Sequence, residues 1–302
     1  MKLLVYGAGV TGSLFAARMH EAGHDVSLLA RGERLADLRR HGVRRAVEDS
    51  PDVERIPVPV VEHPAGGYDL ITVFTRAHQV DEVLKSLADV DGDVLFLLNW
   101  AAGAEPLGAV IGHERVLLGF PTDGGTMDGD VVRYRAAGPL TRLVATSIGE
   151  PDGRSTPRVD RIVRTFRGAG INAKAEPRMD AWLKTHAAFE VPLGQAVEAA
   201  GGPVALAGDP AAVRAMLHLM RRNLAALPMP LVPRGFVALR TLPAGLLVAV
   251  LRRFLRSRTA VQSGLSSTSP AAAAELERLA EQLRALIAGP QAGSGQASTT
   301  ST

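Results

Sequence analysis

The chain has 302 residues, 46% apolar and 22% charged, and contains no cysteine. This composition suits one large or two ordinary globular domains. It excludes a disordered or collagen-like chain, a disulfide framework, a thiolate nucleophile and any cysteine-ligated metal centre. Lysine and arginine total 34 against 31 acidic residues, with no long basic run and only 4% aromatics for stacking on bases, so no nucleic-acid partner is expected.

In chain order, strand-like apolar runs fall at 3–6, 25–30, 70–75, 94–98, 116–119, 143–147 and 171–173. Several are continuous, as in parallel strands covered on both faces. Helical patterns alternate with them. One is Leu14–Ala22. Another has Thr156 as its cap, Pro157 in its first turn and Val159, Ile162, Val163 and Phe166 along one face. Strands alternating with helices predict an α/β fold over residues 1–177, an N-terminal Rossmann doubly wound parallel sheet.

From about Arg178 the pattern becomes all-helical. Helices are predicted over Ala181–Ala200, Asp209–Leu227 and Ala271–Leu286, making residues 178–288 a C-terminal all-helical domain for substrate binding or closure. Residues 289–302, rich in Gly, Ser and Thr, read as a disordered tail. The arginine-rich apolar stretch 228–258 is expected to supply a helix or two to the second domain, with contact to a partner or a membrane surface as the alternative. Its most apolar window, Leu242–Leu251, is too short to span a bilayer. The start, Met1-Lys2 and then Leu3–Tyr6, is too short to be a secretion signal, so a cytoplasmic protein is expected.

Gly7-Ala8-Gly9-Val10-Thr11-Gly12 has the G-x-G-x-x-G spacing, directly after a strand and before a helix. In that context Gly7 permits the tight turn, Gly9 admits a pyrophosphate to the backbone, and Gly12 lets helix pack on strand. The helix N-terminus adds amide donors and a positive dipole end. About 20 residues on, where an NAD-binding fold carries an acid for the ribose hydroxyl, stands Arg31. A guanidinium binds a 2′-phosphate through forked hydrogen bonds, so NADPH/NADP+ is the expected cofactor, with Arg34 close enough to assist. Thr75, Arg76, Gln79 and Asn99 follow two later strands, on the side where open α/β sheets bind ligands.

These segments, together with Ala30-Arg31-Gly32-Glu33, Thr75–Gln79, Glu114–Gly124 and Trp182-Leu183-Lys184, resemble the ketopantoate reductase (2-dehydropantoate 2-reductase) family over most of residues 1–200. The resemblance implies a Rossmann domain holding NADPH, a helical domain closing over it, and reduction of a small-molecule carbonyl substrate, a 2-oxo acid. It also implies a proton from the lysine after the interdomain linker, here Lys184. Chemistry independently favours that residue: ketone reduction puts negative charge on oxygen, and an ammonium stabilises it and can give up a proton. Arg76 and Asn99 are candidates for holding the substrate.

The chain departs from the family where substrate would bind. Arg76 replaces a lysine, and Ala188 and Pro192 stand where asparagines are usual. The family's Thr-Glu-Ile-Asp run, with its active-site glutamate, is absent, and Pro228–Arg258 takes its place before Ser266–Pro270 resumes a family-like ending. Phe236–Leu255 is expected to form a more apolar pocket wall. His186 and Glu190 share a helix face that is not the face of Lys184, and are read as structural more readily than catalytic. No compact metal-ligand spacing or nucleophile elbow is present, so no metal is expected. The sequence leaves open a catalytically weak NADP-binding sensor on the same fold, or a dehydrogenase of 3-hydroxy acids. A homodimer is compatible with either.

Overall fold

A computed structural model describes residues 1–122, 124–135, 144–257, 260 and 269–289. The expected tail and Ser266–Thr268 lie outside the described residues. The elements are β1 (Lys2–Tyr6), α1 (Val10–Glu21), β2 (Asp25–Leu29), α2 (Gly32–His41), β3 (Val43–Val47), β4 (Glu54–Ile56), β5 (Val60–Val61), β6 (Leu70–Val73), α3 (Val80–Leu87) and β7 (Asp93–Leu97). Next come α4 (Glu105–Ile111), β8 (Val116–Phe120), β9 (Gly125–Asp128), β10 (Val131–Tyr134), β11 (Thr146–Gly149), α5 (Pro157–Gly168) and β12 (Ala173–Ala175). The rest is helical: α6 (Met179–Ala200), α7 (Pro203–Gly208), α8 (Pro210–Ala226), α9 (Val237–Thr241), α10 (Ala244–Leu255) and α11 (Pro270–Ala288).

The main sheet has eight strands in the order β12-β11-β8-β7-β6-β1-β2-β5. From β5 to β8 every pairing is parallel, and β11 then runs antiparallel to β8. The direction of winding reverses between β1 and β6, which is where such sheets open a crevice for a ligand. Strands β1, β6 and β7 are buried on both faces, so their apolar runs are unbroken by alternation. One core layer packs α1 and α5 on the sheet around Phe15 and Phe166; the other packs α3 and α4 on the opposite face around Phe96 and Leu107.

The boundaries differ from the sequence reading in instructive ways. Helix α1 begins at Val10, not Leu14, because Gly9 in extended backbone is already its cap residue. Helix α5 begins as expected, with the Thr156 side chain accepting from the Val159 amide. A second sheet, β4-β3-β10-β9, has no counterpart in the sequence reading. Its strands are short and polar, and β3 pairs in parallel with β10 across more than 80 residues, through Arg44↔Val131 to Val47↔Tyr134.

In the helical half, α6, α7, α8 and α10 enclose one apolar cluster around Leu193, Met216, Met220 and Leu255. The last turns of α8 join α6 and α11 in another, around Leu224 and Leu279. Pro192 lies inside α6 and is buried there. The 228–258 stretch supplies the short α9 and the longer α10. Helix α10 packs on α7 and α8 through Leu247, Val248, Leu251 and Leu255. No helix among the described residues is long and apolar enough to cross a membrane.

Candidate active site

The carboxyl ends of β1, β2 and β6 surround a cleft of about 380 Å³, lined by Gly7, Ala8, Gly9, Arg31, Arg34, Thr75, Arg76 and Gln79 among others. Six of the positions singled out for cofactor binding thus line one cleft with Arg34 and Gln79 beside them, at the switch point. Gly7 has φ +113°, and a Cβ there would lie 2.5 Å from the Phe74 carbonyl oxygen, so only glycine lets β1 turn against the β6 loop. A Cβ on Gly12 would collide with the Gly7 carbonyl. Gly12 therefore lets α1 lie close against the residues that leave β1 and β6, Gly7 and Phe74. Gly9 faces open space. Behind it Val10 and Thr11 open α1, whose first turn carries no acid to oppose an anion.

Arg31 follows β2, its side chain half exposed. It donates to the Tyr6 hydroxyl at 2.8 Å and stands 3.6 Å from the Glu82 carboxylate. Arg34 is committed elsewhere. Its Nε donates to the Ala8 carbonyl at 3.2 Å, and its other nitrogens reach Ser13, Asp37 and the Asp130 carbonyl. It braces the glycine loop from behind.

On the β6 and β7 side, Thr75 Oγ1 and Asn99 Oδ1 are buried with no hydrogen-bond partner. Buried polar atoms rarely stay unpaired, so each marks a place prepared for a ligand. The residues present fit a phosphorylated dinucleotide: an open glycine over a helix N-terminus, a guanidinium beyond β2, and unsatisfied polar atoms beyond β6 and β7. Arg76, in contrast, is held by an ion pair of 2.8 Å to Glu275 of α11, and Asn99 Nδ2 reaches the same carboxylate at 3.5 Å. Glu275 escaped the sequence reading, as it sits in an ordinary Ala/Glu/Leu helix with no motif around it.

Lys184 lies on α6, mostly buried, with Nζ 2.6 Å from Asp180 one turn earlier. A side chain at Gly103, in the loop that Asn99 opens, would lie 3.7 Å from both Lys184 Nζ and Asp180 Oδ1. The lysine therefore faces the β7 loop across the junction of the two halves. Asp180 was also missed, although its i,i+4 spacing to Lys184 was a readable signal.

His186 stacks on Trp182 at 5.1 Å and touches Phe120, at the end of β8, at 4.5 Å. Burial in this aromatic setting lowers its pKa to about 4. Its Nε2 lies 3.9 Å from Glu190, whose carboxyl is pushed up to about 7 by burial and, secondarily, by the Glu275 carboxylate. Of the stretch expected to wall the substrate pocket, Phe236 meets Phe189 of α6; helix α10 lines no part of the glycine-loop cleft. It packs on α7 and α8 instead. Among the described residues no cluster of acidic residues and histidines could hold a metal.

Strand order, switch-point cleft and glycine loop define a dinucleotide-binding fold of the Rossmann class with a helical second half. Residues 3–146 match the family model "Ketopantoate reductase PanE/ApbA". Over that region, just under half of the chain, it is similar to the ketopantoate reductase family. The chain is 32% identical over 175 residues to the 2-dehydropantoate 2-reductase of Archaeoglobus fulgidus, covering 58% of this chain and 55% of that one. It is 28% identical over 211 residues to the Pyrococcus horikoshii protein of the same name, covering 68% and 66%. The matches thus span between about half and two thirds of these relatives. The fold extends further. A 2-dehydropantoate 2-reductase of Geobacter metallireducens superposes with TM-score 0.68 over 95% of this chain and 98% of that one, at 15% identity. A D-mandelate dehydrogenase solved with NADH and anilino(oxo)acetate gives 0.67 over 95% and 99%, at 16% identity.

Proposed function

We propose that the protein is an NADPH-dependent reductase of a 2-oxo acid or related carbonyl compound, its chain dividing near residue 177 into a cofactor domain and a helical substrate domain. The observation that carries this reading is the approach of Lys184 to the loop that Asn99 opens, beside a cleft lined by the glycine loop and Arg31.

Gly7, Gly9 and the first amides of α1 would hold the pyrophosphate, and Arg31 the 2′-phosphate, with Thr75 and Asn99 lining the path beyond. The chemistry supplied by NADPH, when bound, is donation of a hydride to the carbonyl carbon. As the carbonyl oxygen gains charge, the Lys184 ammonium stabilises it and passes it a proton. Asp180 holds that ammonium in place at 2.6 Å. Trp182, His186 and Phe120 pack together at the end of β8 and exclude water from the neighbouring side of α6.

Ala188 and Pro192 offer no side-chain hydrogen bonds where the family has asparagines. Loss of such partners discriminates against the polar substrate that used them. The substrate we infer is a larger, more apolar carbonyl compound than ketopantoate. The test is NADPH consumption against a panel of 2-oxo acids and ketones, with Lys184→Ala as the control. Absence of turnover across the panel despite tight NADPH binding would replace this reading with that of a cofactor sensor.

A further inference from the structure

From Pro210 to Ala274 the chain has nine arginines, no lysine and not one acidic residue. Eight of the nine lie among the described residues, and none of the eight forms an ion pair there. Elsewhere in the molecule Arg45, Arg76, Arg133 and Arg158 all find carboxylates. The helical half thus presents positive charge that the protein does not neutralise, and the proposed reaction does not use it.

The charge is coupled to an apolar surface on α10. The inner face of this helix is buried, whereas Leu246 and Val250, one turn apart on its outer face, are 52% and 54% exposed. Leu242, in the extended link just before the helix, is 41% exposed. At the far end of the helix, Arg252 and Arg256 donate to the Ala207 carbonyl at 2.8 and 3.2 Å. With Arg253, Ala249 and Ser257 they line an open cavity of about 600 Å³. Protruding aliphatic side chains therefore lead directly into a cleft of three guanidiniums.

We propose that this end of α10 docks on an anionic phospholipid surface, with lipid phosphates in the cleft of Arg252, Arg253 and Arg256 and with Leu246 and Val250 entering the headgroup boundary. Arginine forks suit phosphate oxygens, and a helix with exposed Leu and Val beside basic residues binds in the plane of the interface. Juxtamembrane arginines strengthen such binding by about fivefold each. The exposed apolar residues are aliphatic and offer no ring for stacking on bases. A second copy packed about a two-fold axis would set arginines against arginines.

The test is co-sedimentation of the full chain with vesicles of phosphatidylcholine alone or mixed with phosphatidylglycerol. Binding to the mixed vesicles only, falling steeply with added salt, is the expected result. Arg253→Glu with Arg256→Glu reduces it by at least tenfold, while NADPH binding and the circular dichroism spectrum stay unchanged. Should that pair fail to fold, Leu246→Ser with Val250→Ser, both facing solvent, weakens the binding that survives in high salt. Equal binding to both vesicle types, no binding at all, or full binding by the folded variants overturns the proposal. So does a dimer in solution, dissolved by the charge reversal, from a protein that ignores vesicles.

Discussion

Arg76 and Glu275, 199 residues apart, meet in an ion pair of 2.8 Å that joins the end of β6 to α11. The same carboxylate reaches Asn99 and bears on Glu190, so one acidic side chain touches both halves of the candidate site. Removing its charge is expected to act at two distances. Glu275→Gln releases Arg76 to hold an anionic substrate, and KM for 2-oxo acids falls relative to neutral ketones. In the same variant the Glu190 carboxyl titrates lower. An unchanged ratio of the two KM values would show that Arg76 does not meet the substrate.

Glu190 and His186 make a prediction about pH. The Glu190 carboxyl is raised from 4.5 to about 7 and the His186 ring lowered from 6.5 to about 4. Between pH 4.5 and 6.5 the folded protein keeps the pair's one proton on Glu190, while the unfolded chain keeps it on His186. Their opposing contributions cancel, and stability from this pair is flat across that window. Between pH 6.5 and about 7 the unfolded chain has lost the His186 proton while the fold still holds that of Glu190, so stability falls slightly and then levels off. Glu190→Gln removes that loss. Its stability rises with pH from about 4 to 6.5 and then holds, giving an advantage over the parent on the order of 2–3 kcal/mol at pH 8. Urea unfolding at pH 5 and pH 8 measures the difference, and parallel curves at both would refute the assignment.

Cofactor choice rests on Arg31. NADPH is expected to bind more tightly than NADH by about 1.5–3 kcal/mol, the range for a hydrogen bond to a charged group. Arg31→Asp reverses or abolishes that preference. Glu82, exposed and 3.6 Å from Arg31, competes weakly for it. Glu82→Gln therefore tightens NADPH by less than about 1 kcal/mol and leaves NADH unchanged. Calorimetric titration of the three proteins with both cofactors decides; equal affinities in the unmutated protein would remove Arg31 from its role.

Lys184→Ala is expected to lower turnover by roughly 10²–10⁴-fold while NADPH binds as before. Asp180→Asn, which leaves the ammonium but loosens its position, lowers kcat less. Turnover indifferent to Lys184 would pass the search for a proton donor to Glu190, which is partly protonated near pH 7.

Ketopantoate is expected to be a poor substrate beside larger aliphatic and aromatic 2-oxo acids. The comparison is kcat/KM for each with NADPH. A value for ketopantoate of about 10⁴ M⁻¹s⁻¹ or above would return the protein to the family's usual substrate.

The cofactor half was legible because its signals are local. Buried parallel strands make unbroken apolar runs, and a tight turn at φ +113° requires glycine at position 7. The second sheet was not legible. Strands such as Val43-Arg44-Arg45-Ala46-Val47 carry no strong period, and their pairing depends on a partner at 131–134. Glu275 was hidden for the same reason: its importance arises only when α11 folds back on Arg76. The departure at 228–258 was visible as composition, but α10 turns out to face α7 and α8 on one side and open surface on the other.

Arg34 gives the glycine loop a property of its own. One guanidinium holds the Ala8 carbonyl, the Ser13 hydroxyl, the Asp37 carboxylate and the Asp130 carbonyl, so the loop, α1, α2 and the second sheet share a single anchor. A loop fastened in this way has already lost its conformational freedom when the chain folds. A nucleotide arriving at Gly9 then has little left to order, and more of its contact energy appears as affinity. The small second sheet, which lines no part of the cleft, thereby takes part in setting how rigid the glycine loop is.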